Sequence, residues 1–476
     1  MRVMLVEPPK DFWFIMGEYI PPPFGLLCLA GYLEEGCPGA EVEVVDSQAE
    51  GLDWEGLERR VEEYAPDLVA PSGMATANAY YAIRVAELAK KVAPDSCTVL
   101  GGQHFTALAQ ETLAGYNSVD YVVRGEGEAT LADLVRTLDS GGGLEGVAGV
   151  SYRRGGSIFH NRDRGLICDL DTLPYPAYDH VAPHMKDYYF SLMGGEGKPF
   201  AIVEGSRGCR HDCSYCSQWR FWRRRHRAKS PERVVDEFEH LYTEYGSRFF
   251  WFSDDNFGMG PRTEAICDGL VERGLGDEIE WFCQVRVDDV VEHPDVLSKM
   301  RRAGATWMLV GFDNPSAQIL DSYRRSGVTE PRSRRAVELL RENSVFSQGT
   351  FIIGHRSDSH ESVEAVRRYA DELDPDIASF FVLTPFPGTE VYEDAVRGGW
   401  IEDHNWAHYD MVHAVMPTEH LTRVEVQQEL YDCYEGFFGS WPRRYRGITS
   451  GNPITRRTYG YLAKQALLMG LKSLIG

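Results

Sequence analysis

Twice along the chain, short apolar runs alternate with amphipathic helical stretches, and this alternation restricts the fold more than any other feature. In the first 140 residues, RVMLVEPP, EVEVVDS, DLVAPSG, CTVLGG and YVVRGEGE read as strands, separated by helices such as FGLLCLAGYLEEG and LDWEGLERRVEEY. Parallel strands need crossover helices, so the pattern predicts a parallel sheet covered on both faces, with ligands gathering at the carboxyl ends of its strands. Pro8, Asp46, Ser72, Gly101 and Gly125 fall at those ends. A second run, PFAIVEGS, RFFWFSDD, IEWFCQVRV, TWMLVGF, SQGTFIIG and ASFFVLTPF, supplies six more strands at the rhythm of a (β/α) barrel, whose chemistry sits at the same ends.

The expected organisation is therefore α/β. Residues 1–140 form a Rossmann-like unit that stops at the Gly-rich SGGGLEG, and 141–195 form an irregular connector with the hairpin pattern GVSYRR-GG-SIFHN. Residues 196–400 form a partial (β/α)6 barrel, and 401–476 a mainly helical C-terminal domain. In SPERVVDEFEHLYTEYG, Ser230 suits the helix cap, Pro231 the first helical position and Gly246 the stop, while Val234, Phe238, Leu241 and Tyr245 share a face.

A chain of 476 residues needs more than one core, and its formal charge of -23 argues against a general nucleic-acid or anionic-membrane binder. No apolar run approaches the roughly 18 to 20 residues of a membrane span, and MRVMLVEPP opens as a strand rather than a signal peptide, so the expected location is cytoplasmic. Seven of the ten cysteines are scattered and read as buried fillers. Only GCRHDCSYC, with Cys209, Cys213 and Cys216 inside eight residues, has ligand spacing. Gly205 and Gly208 let backbone wrap closely there. Structural zinc wants a fourth ligand, and His211 would strain the chelate; a [4Fe-4S] cluster usually takes four thiolates, so three leave one iron open.

This loop, with Tyr215 before its last cysteine, resembles that of the radical S-adenosylmethionine (SAM) superfamily. The resemblance implies that SAM binds the open iron through its amino and carboxylate groups, and that the reduced cluster cleaves it to a 5′-deoxyadenosyl radical. It assigns Asp254, Asp255 and Asn256 of FSDDNFG to the SAM amino group. Gln284 and Arg286 of CQVRVD stand at the third strand's end, and Pro385 of TPFPGT beside the adenosine. Relatives often carry glutamate in the fourth-strand motif where GFDNPS has Asp313 and Asn314, so the role of Asp313 stays open. The basic run WRRRHRAK at 222–229 is either a solvated face or a positive surface for the SAM carboxylate or an acidic reductase. A ferredoxin- or flavodoxin-type reductant is implied.

PPPFGLLCLAGYLEEG, VLGGQHFTALAQETL and VVRGEGEATLADLV resemble the cobalamin-binding domain that precedes this barrel in one large subgroup. A corrin is flat and broad. Ser72, Gly73, Gly101, Gly102, Gly125 and Gly127 would let backbone approach it, Glu126 and Glu128 would accept from its amides, and Thr76 and Gln103 would line the same loops. The cobalt-ligating motif Asp-x-His-x-x-Gly does not occur in the chain. Tyr19, Met74 and His104 are then the candidates to face cobalt, ordinary pocket roles being the alternative.

The resemblance implies a cobalamin-dependent radical SAM C-methyltransferase. One SAM would methylate cobalamin; a second would give the radical that removes hydrogen from an unactivated sp3 carbon. A second reading, similar to the anaerobic magnesium-protoporphyrin ester cyclases, is an oxidative cyclase or a methylase acting on a tetrapyrrole or polyisoprenoid. A third is a non-catalytic iron-sulfur sensor. In and beyond WIEDHNWAHYDMVHAVMPTEH, Trp406, His408, Tyr409, His413 and Tyr431 are candidate substrate contacts, although core packing accounts for the same aromatics. The preferred substrate is a protein or peptide side chain, with the glutamine of methyl-coenzyme M reductase as one candidate.

Overall fold

The structure, a computed structural model, describes residues 1–10, 19–73, 75–195 and 197–475, with side chains described through Leu467. Met74, expected near cobalt, lies outside the described residues.

The first sheet runs, edge to edge, Glu41–Asp46, Arg2–Glu7, Leu68–Pro71, Cys97–Leu100, Tyr121–Val123, Val150–Arg154 and Ser157–His160. Its first five strands are parallel. Because side chains alternate across a strand, Val3 and Leu5 pack with Leu26, Leu27, Ala30 and Leu33 of helix Phe24–Gly36, while Met4 and Val6 pack with Leu57, Val61, Val85 and Leu88 of the helices opposite. The strand order turns back at Arg2–Glu7, which leaves a crevice at the carboxyl ends of Arg2–Glu7 and Leu68–Pro71, the place where open α/β sheets bind ligands.

The hairpin expected in the connector forms, but it is not part of an irregular segment. Val150–Arg154 pairs antiparallel with Tyr121–Val123, so the first sheet continues well past residue 140. Without it, Tyr121–Val123 would be an unpaired edge. Val150 and Tyr152 are buried in the process. Tyr19–Ile20 also pairs antiparallel with Tyr189–Phe190, and Tyr19 stacks on Phe190 with centroids 4.8 Å apart, tying the first domain to the approach of the barrel.

The second sheet holds six parallel strands in chain order: Phe200–Val203, Phe249–Phe252, Glu280–Arg286, Ala305–Asp313, Phe346–Ile353 and Ile377–Val382. They are the six expected. Helix Pro231–Tyr245 follows its local signals, with the Ser230 hydroxyl accepting from Arg233 N at 3.2 Å and Gly246 left-handed at φ 68°. Val234, Phe238 and Leu241 face the core. Helix Arg423–Gly439 covers the last strand, where the Tyr434 hydroxyl accepts from Phe380 N at 3.0 Å and donates to Phe380 O at 2.9 Å. Helices Trp441–Ile448 and Pro453–Ile475 close the amino-terminal end of the barrel, through Thr455 to Asp376 at 2.9 Å and Arg457 to Glu280 at 3.0 Å. Among the described residues, no helix is long and apolar enough to cross a membrane.

Asp46 ends its strand fully buried, accepting from the Tyr188 hydroxyl at 2.9 Å. Burial, and then the charge of Glu7, push its carboxyl up to about 6. A folded pKa above the unfolded value makes stability fall as pH rises from about 4 to 6; the gap corresponds to roughly 3 kcal/mol. Asp46→Asn keeps the neutral shape. It is expected to match or exceed the parent in urea midpoint at pH 7.5, with the advantage gone near pH 4.5; an advantage independent of pH would contradict the assignment.

Candidate active site

Beyond the first barrel strand, Ser206–Arg207 pairs antiparallel with Arg227–Ala228, and the loop between them carries Cys209, Cys213 and Cys216 as free thiols. Gly208 makes the closure possible: its φ is 86°, and a Cβ there would collide with the carbonyl oxygen of Arg225. Burial pushes the Cys216 thiol up to about 12 and raises Cys209 as well. Thiolates at Cys209 and Cys216 therefore require a metal to displace their protons. Among the described residues, no three His, Cys, Asp or Glu side chains converge on one ion. Three cysteines from one short loop suit a [4Fe-4S] group, which offers each thiolate a separate iron.

The acidic pair at the second strand's end is occupied by the loop itself. Asp254 is fully buried and accepts from Gly205 N at 2.7 Å and from the Ser206 hydroxyl. Asp255 accepts from Gly208 N at 3.1 Å. Burial raises them to about 6 and about 7. Both were expected to receive the SAM ammonium; in the structure they hold the backbone that leads into Cys209. Asn256 differs, because its Nδ2 donates to Asp289 at 3.2 Å while its buried Oδ1 has no partner. That open acceptor suits an ammonium.

Arg286 is buried, donating to Asp288 at 2.9 Å and to Ser326 O at 2.5 Å. Gln284 is half-buried, and its backbone carbonyl accepts from Phe257 N at 3.0 Å. Asp313, the departure from the expected glutamate, has a left-handed φ of 57° and is ion-paired with Arg325 at 2.5 Å. It also accepts from the Tyr215 hydroxyl at 3.0 Å. Asp313 thus anchors the ring between Cys213 and Cys216. Ser214 N donating to Tyr323 O at 3.0 Å pins the loop to the same segment. Pro385 is buried, and Gly388 in the same turn approaches Ala107 of the first domain.

Three contacts that the sequence did not signal join the first domain to the rest of the chain, two of them at this loop. Arg207 donates to Glu126 at 3.0 Å, to Glu128 at 2.6 Å and to Glu204 at 2.8 Å, and Arg227 adds a bond to Glu126 at 2.8 Å. Glu126 and Glu128, expected to meet corrin amides, serve here as a domain clamp, because two buried guanidinium groups demand counter-charge. Gln103, also expected at the corrin, donates to Gln218 at 2.6 Å and accepts from Ser217 at 3.0 Å. Finally, the turn Thr76–Asn78 and His104 meet Trp406 of the C-terminal segment.

At the corrin side, His104 is 3% exposed, its Nδ1 has no partner, and burial holds it down at about 4, so its ring is neutral. Gly125 is left-handed at φ 75° with open space where a Cβ would stand, and Gly102 is left-handed at φ 90°. An unpartnered, buried ring nitrogen on one loop and left-handed glycines on this loop and the next fit a broad planar ligand. Gly73, Gly101 and Gly127 are small for internal reasons, since a Cβ would press on Phe105, Val123 O and Leu29. Ser72 N donates to Val6 O at 2.8 Å, and burial, with Glu7 second, raises the Tyr19 phenol.

Among the substrate candidates, Trp406 lies edge-on to His104 at 5.1 Å and against fully buried Tyr409 at 4.7 Å. His408 is anchored to Asp403 and His413 to Asp410, each at 2.8 Å, with their rings stacked at 4.7 Å. Tyr431 does not join them: it is 54% exposed on the helix that covers the outer edge of the sixth strand.

Gly208→Ala is expected to abolish iron and sulfide loading while far-UV circular dichroism stays at the parent level, since only the loop closure is obstructed. Full loading in that variant would refute the geometry described for the loop.

Residues 15–135 match the B12 binding domain, and residues 203–370 match the radical SAM superfamily. The chain is 33% identical over 441 residues to an uncharacterised methyltransferase of Pyrococcus horikoshii, with 92% of each chain covered. It is 29% identical over 448 residues to the anaerobic magnesium-protoporphyrin IX monomethyl ester cyclase of Cereibacter sphaeroides, covering 92% of this chain and 70% of that one. Among solved structures it is similar to TsrM of Kitasatospora setae, a radical SAM methyltransferase with cobalamin and a [4Fe-4S] cluster bound. The TM-score is 0.67 at 20% identity, over 83% of this chain and 75% of that one. The chain belongs to the cobalamin-dependent radical SAM methyltransferase family, enzymes that take a [4Fe-4S] cluster, SAM and cobalamin as cofactors.

Proposed function

We propose that the enzyme methylates an unactivated sp3 carbon and that the acceptor is a protein or peptide side chain, the glutamine of methyl-coenzyme M reductase being one candidate. The observation that carries the reading is the Gln103 bridge. One amide of the first domain bonds both residues that follow Cys216, so the corrin-side helix and the cluster loop share a single fixed position. When bound, the cluster with SAM supplies a radical generator and cobalamin a transferable methyl group.

What the chain contributes is placement. Cys209, Cys213 and Cys216 hold the cluster, the unpartnered Asn256 Oδ1 receives the SAM ammonium, and Asp313 steadies Tyr215 between two of the thiols. Trp406 closes over neutral His104 and limits water at the corrin side. His408 and His413, each oriented by an aspartate, give the neighbouring segment a polar edge. Such an edge suits an amide-bearing peptide better than a hydrocarbon. Oxidative cyclisation is the second reading, favoured by the 29% identity to the ester cyclase.

Anaerobic incubation with SAM, a flavodoxin-type reductant and a glutamine-containing peptide of the reductase is expected to yield adenosylhomocysteine and 5′-deoxyadenosine in about equal amounts, with the peptide heavier by one methylene. Deoxyadenosine alone, with a substrate that has lost hydrogen, would favour the cyclase. No SAM cleavage at all would leave the sensor. Gln103→Ala is expected to keep its cluster and to lose roughly 10- to 100-fold in methylated product per deoxyadenosine, the cost of a slight misplacement of two reacting groups.

A further inference from the structure

The two C-terminal helices carry cations and no acid of their own. Residues 436–467 contain Arg443, Arg444, Arg446, Arg456, Arg457 and Lys464 and no aspartate or glutamate, within a protein of net charge -23. The helix Trp441–Ile448 also exposes the wrong side for a water-facing element. Arg443 and Gly447 turn inward, Gly447 so closely that a Cβ would collide with the Tyr459 ring. Trp441, Arg444, Tyr445 and Ile448, spaced by three, one and three, face out. Trp441 is 76% exposed and Tyr445 70%. The Arg444 guanidinium lies 5.6 Å from the Trp441 ring, and exposed Arg456 stands on the adjoining helix Pro453–Ile475 together with exposed Leu467.

We infer that this face docks on an anionic phospholipid surface. Aromatic rings with polar edges and arginines on one helix face are the composition that settles at the boundary between headgroups and acyl chains. Arg443, Arg446 and Arg457 are met by Asp371, Asp374 and Glu280 of the barrel, whereas, among the described residues, exposed Arg444 and Arg456 bond only neutral carbonyls, and acidic phosphates supply the counter-charge for these two. The acidic remainder of the chain opposes this weakly, because repulsion between exposed charges is screened within about 8 to 10 Å at physiological salt. The docking face lies at the amino-terminal end of the barrel strands, where Arg457 meets Glu280 and Thr455 meets Asp376. The cysteine loop occupies the opposite, carboxyl end. A docked molecule therefore keeps its mouth toward water and stays open to a protein acceptor.

The test is co-sedimentation of the full, cofactor-loaded protein with vesicles of phosphatidylglycerol and phosphatidylcholine, against vesicles of phosphatidylcholine alone. Binding to the anionic vesicles is expected, falling steeply between 50 and 500 mM salt, on the order of the screening change. Arg444→Glu with Arg456→Glu, and separately Trp441→Ala with Tyr445→Ala, are each expected to weaken it at least about tenfold, with thermal unfolding and SAM cleavage unchanged. Absence of binding to anionic vesicles at low salt would overturn the inference. So would equal binding by the charge-reversed protein, or a concentration-dependent dimer in size-exclusion chromatography that the same substitutions abolish.

Discussion

One buried guanidinium organises this enzyme. Arg207 is 6% exposed and shared by three carboxylates, Glu126 and Glu128 from the first domain and Glu204 from the barrel. Taking such charges out of water costs several kcal/mol per ion, and the cost is offset only while every partner is in place. Burial alone would raise the Glu128 carboxyl and weaken the Arg207 cation. The opposite charges outweigh it in both, leaving Glu128 below and Arg207 well above their ordinary values. Sliding one domain over the other would strand a carboxylate in a dry interface. The domains are therefore locked, and they are locked two residues before the first cluster cysteine.

That position explains why so many polar groups expected at cofactors also bond protein. Glu126, Glu128, Asp254, Asp255 and Gln103 stand at strand ends, where a sequence reading assigns them to ligands. In the structure, each spends part or all of its hydrogen-bonding capacity on the cluster loop or on the arginines flanking it. A loop that must present three thiols cannot form a regular ladder, so its backbone N–H groups need acceptors from elsewhere. The nearest acceptors are the carboxylates of the neighbouring strand end.

The strands and the loop were legible for a simple reason. All six barrel strands and the five parallel strands of the first sheet are signalled by local apolar runs, and the Ser230 cap and Gly246 stop by backbone chemistry within one helix. The three cysteines are a contiguous pattern as well. What escaped depends on residues far apart in the chain. Glu128 is 79 positions from Arg207 and Gln103 is 115 from Gln218, and no periodicity encodes such partners. The hairpin at 150–160 was visible as a hairpin, but its attachment to Tyr121–Val123 follows from the need to pair an edge, a property of the assembled sheet.

Net charge misleads in the same way, because a sum carries no position. The value of -23 argues against anionic partners only if acids are spread evenly, and they are absent from 436–467. Two arginine-rich places in this acidic chain obey different physics. Around Arg207 the guanidinium groups of Arg207 and Arg227 are buried and share Glu126, Glu128 and Glu204, so they contribute rigidity. On Trp441–Ile448, Arg444 is exposed beside aromatic rings with its Nε on the Phe438 carbonyl, a neutral group that leaves its charge uncompensated. The first arrangement needs low dielectric to hold two domains together; the second needs water on one side, so that its charge is felt by another surface. Their placement at opposite ends of the same barrel lets the enzyme be held at one end while its chemistry is carried out at the other.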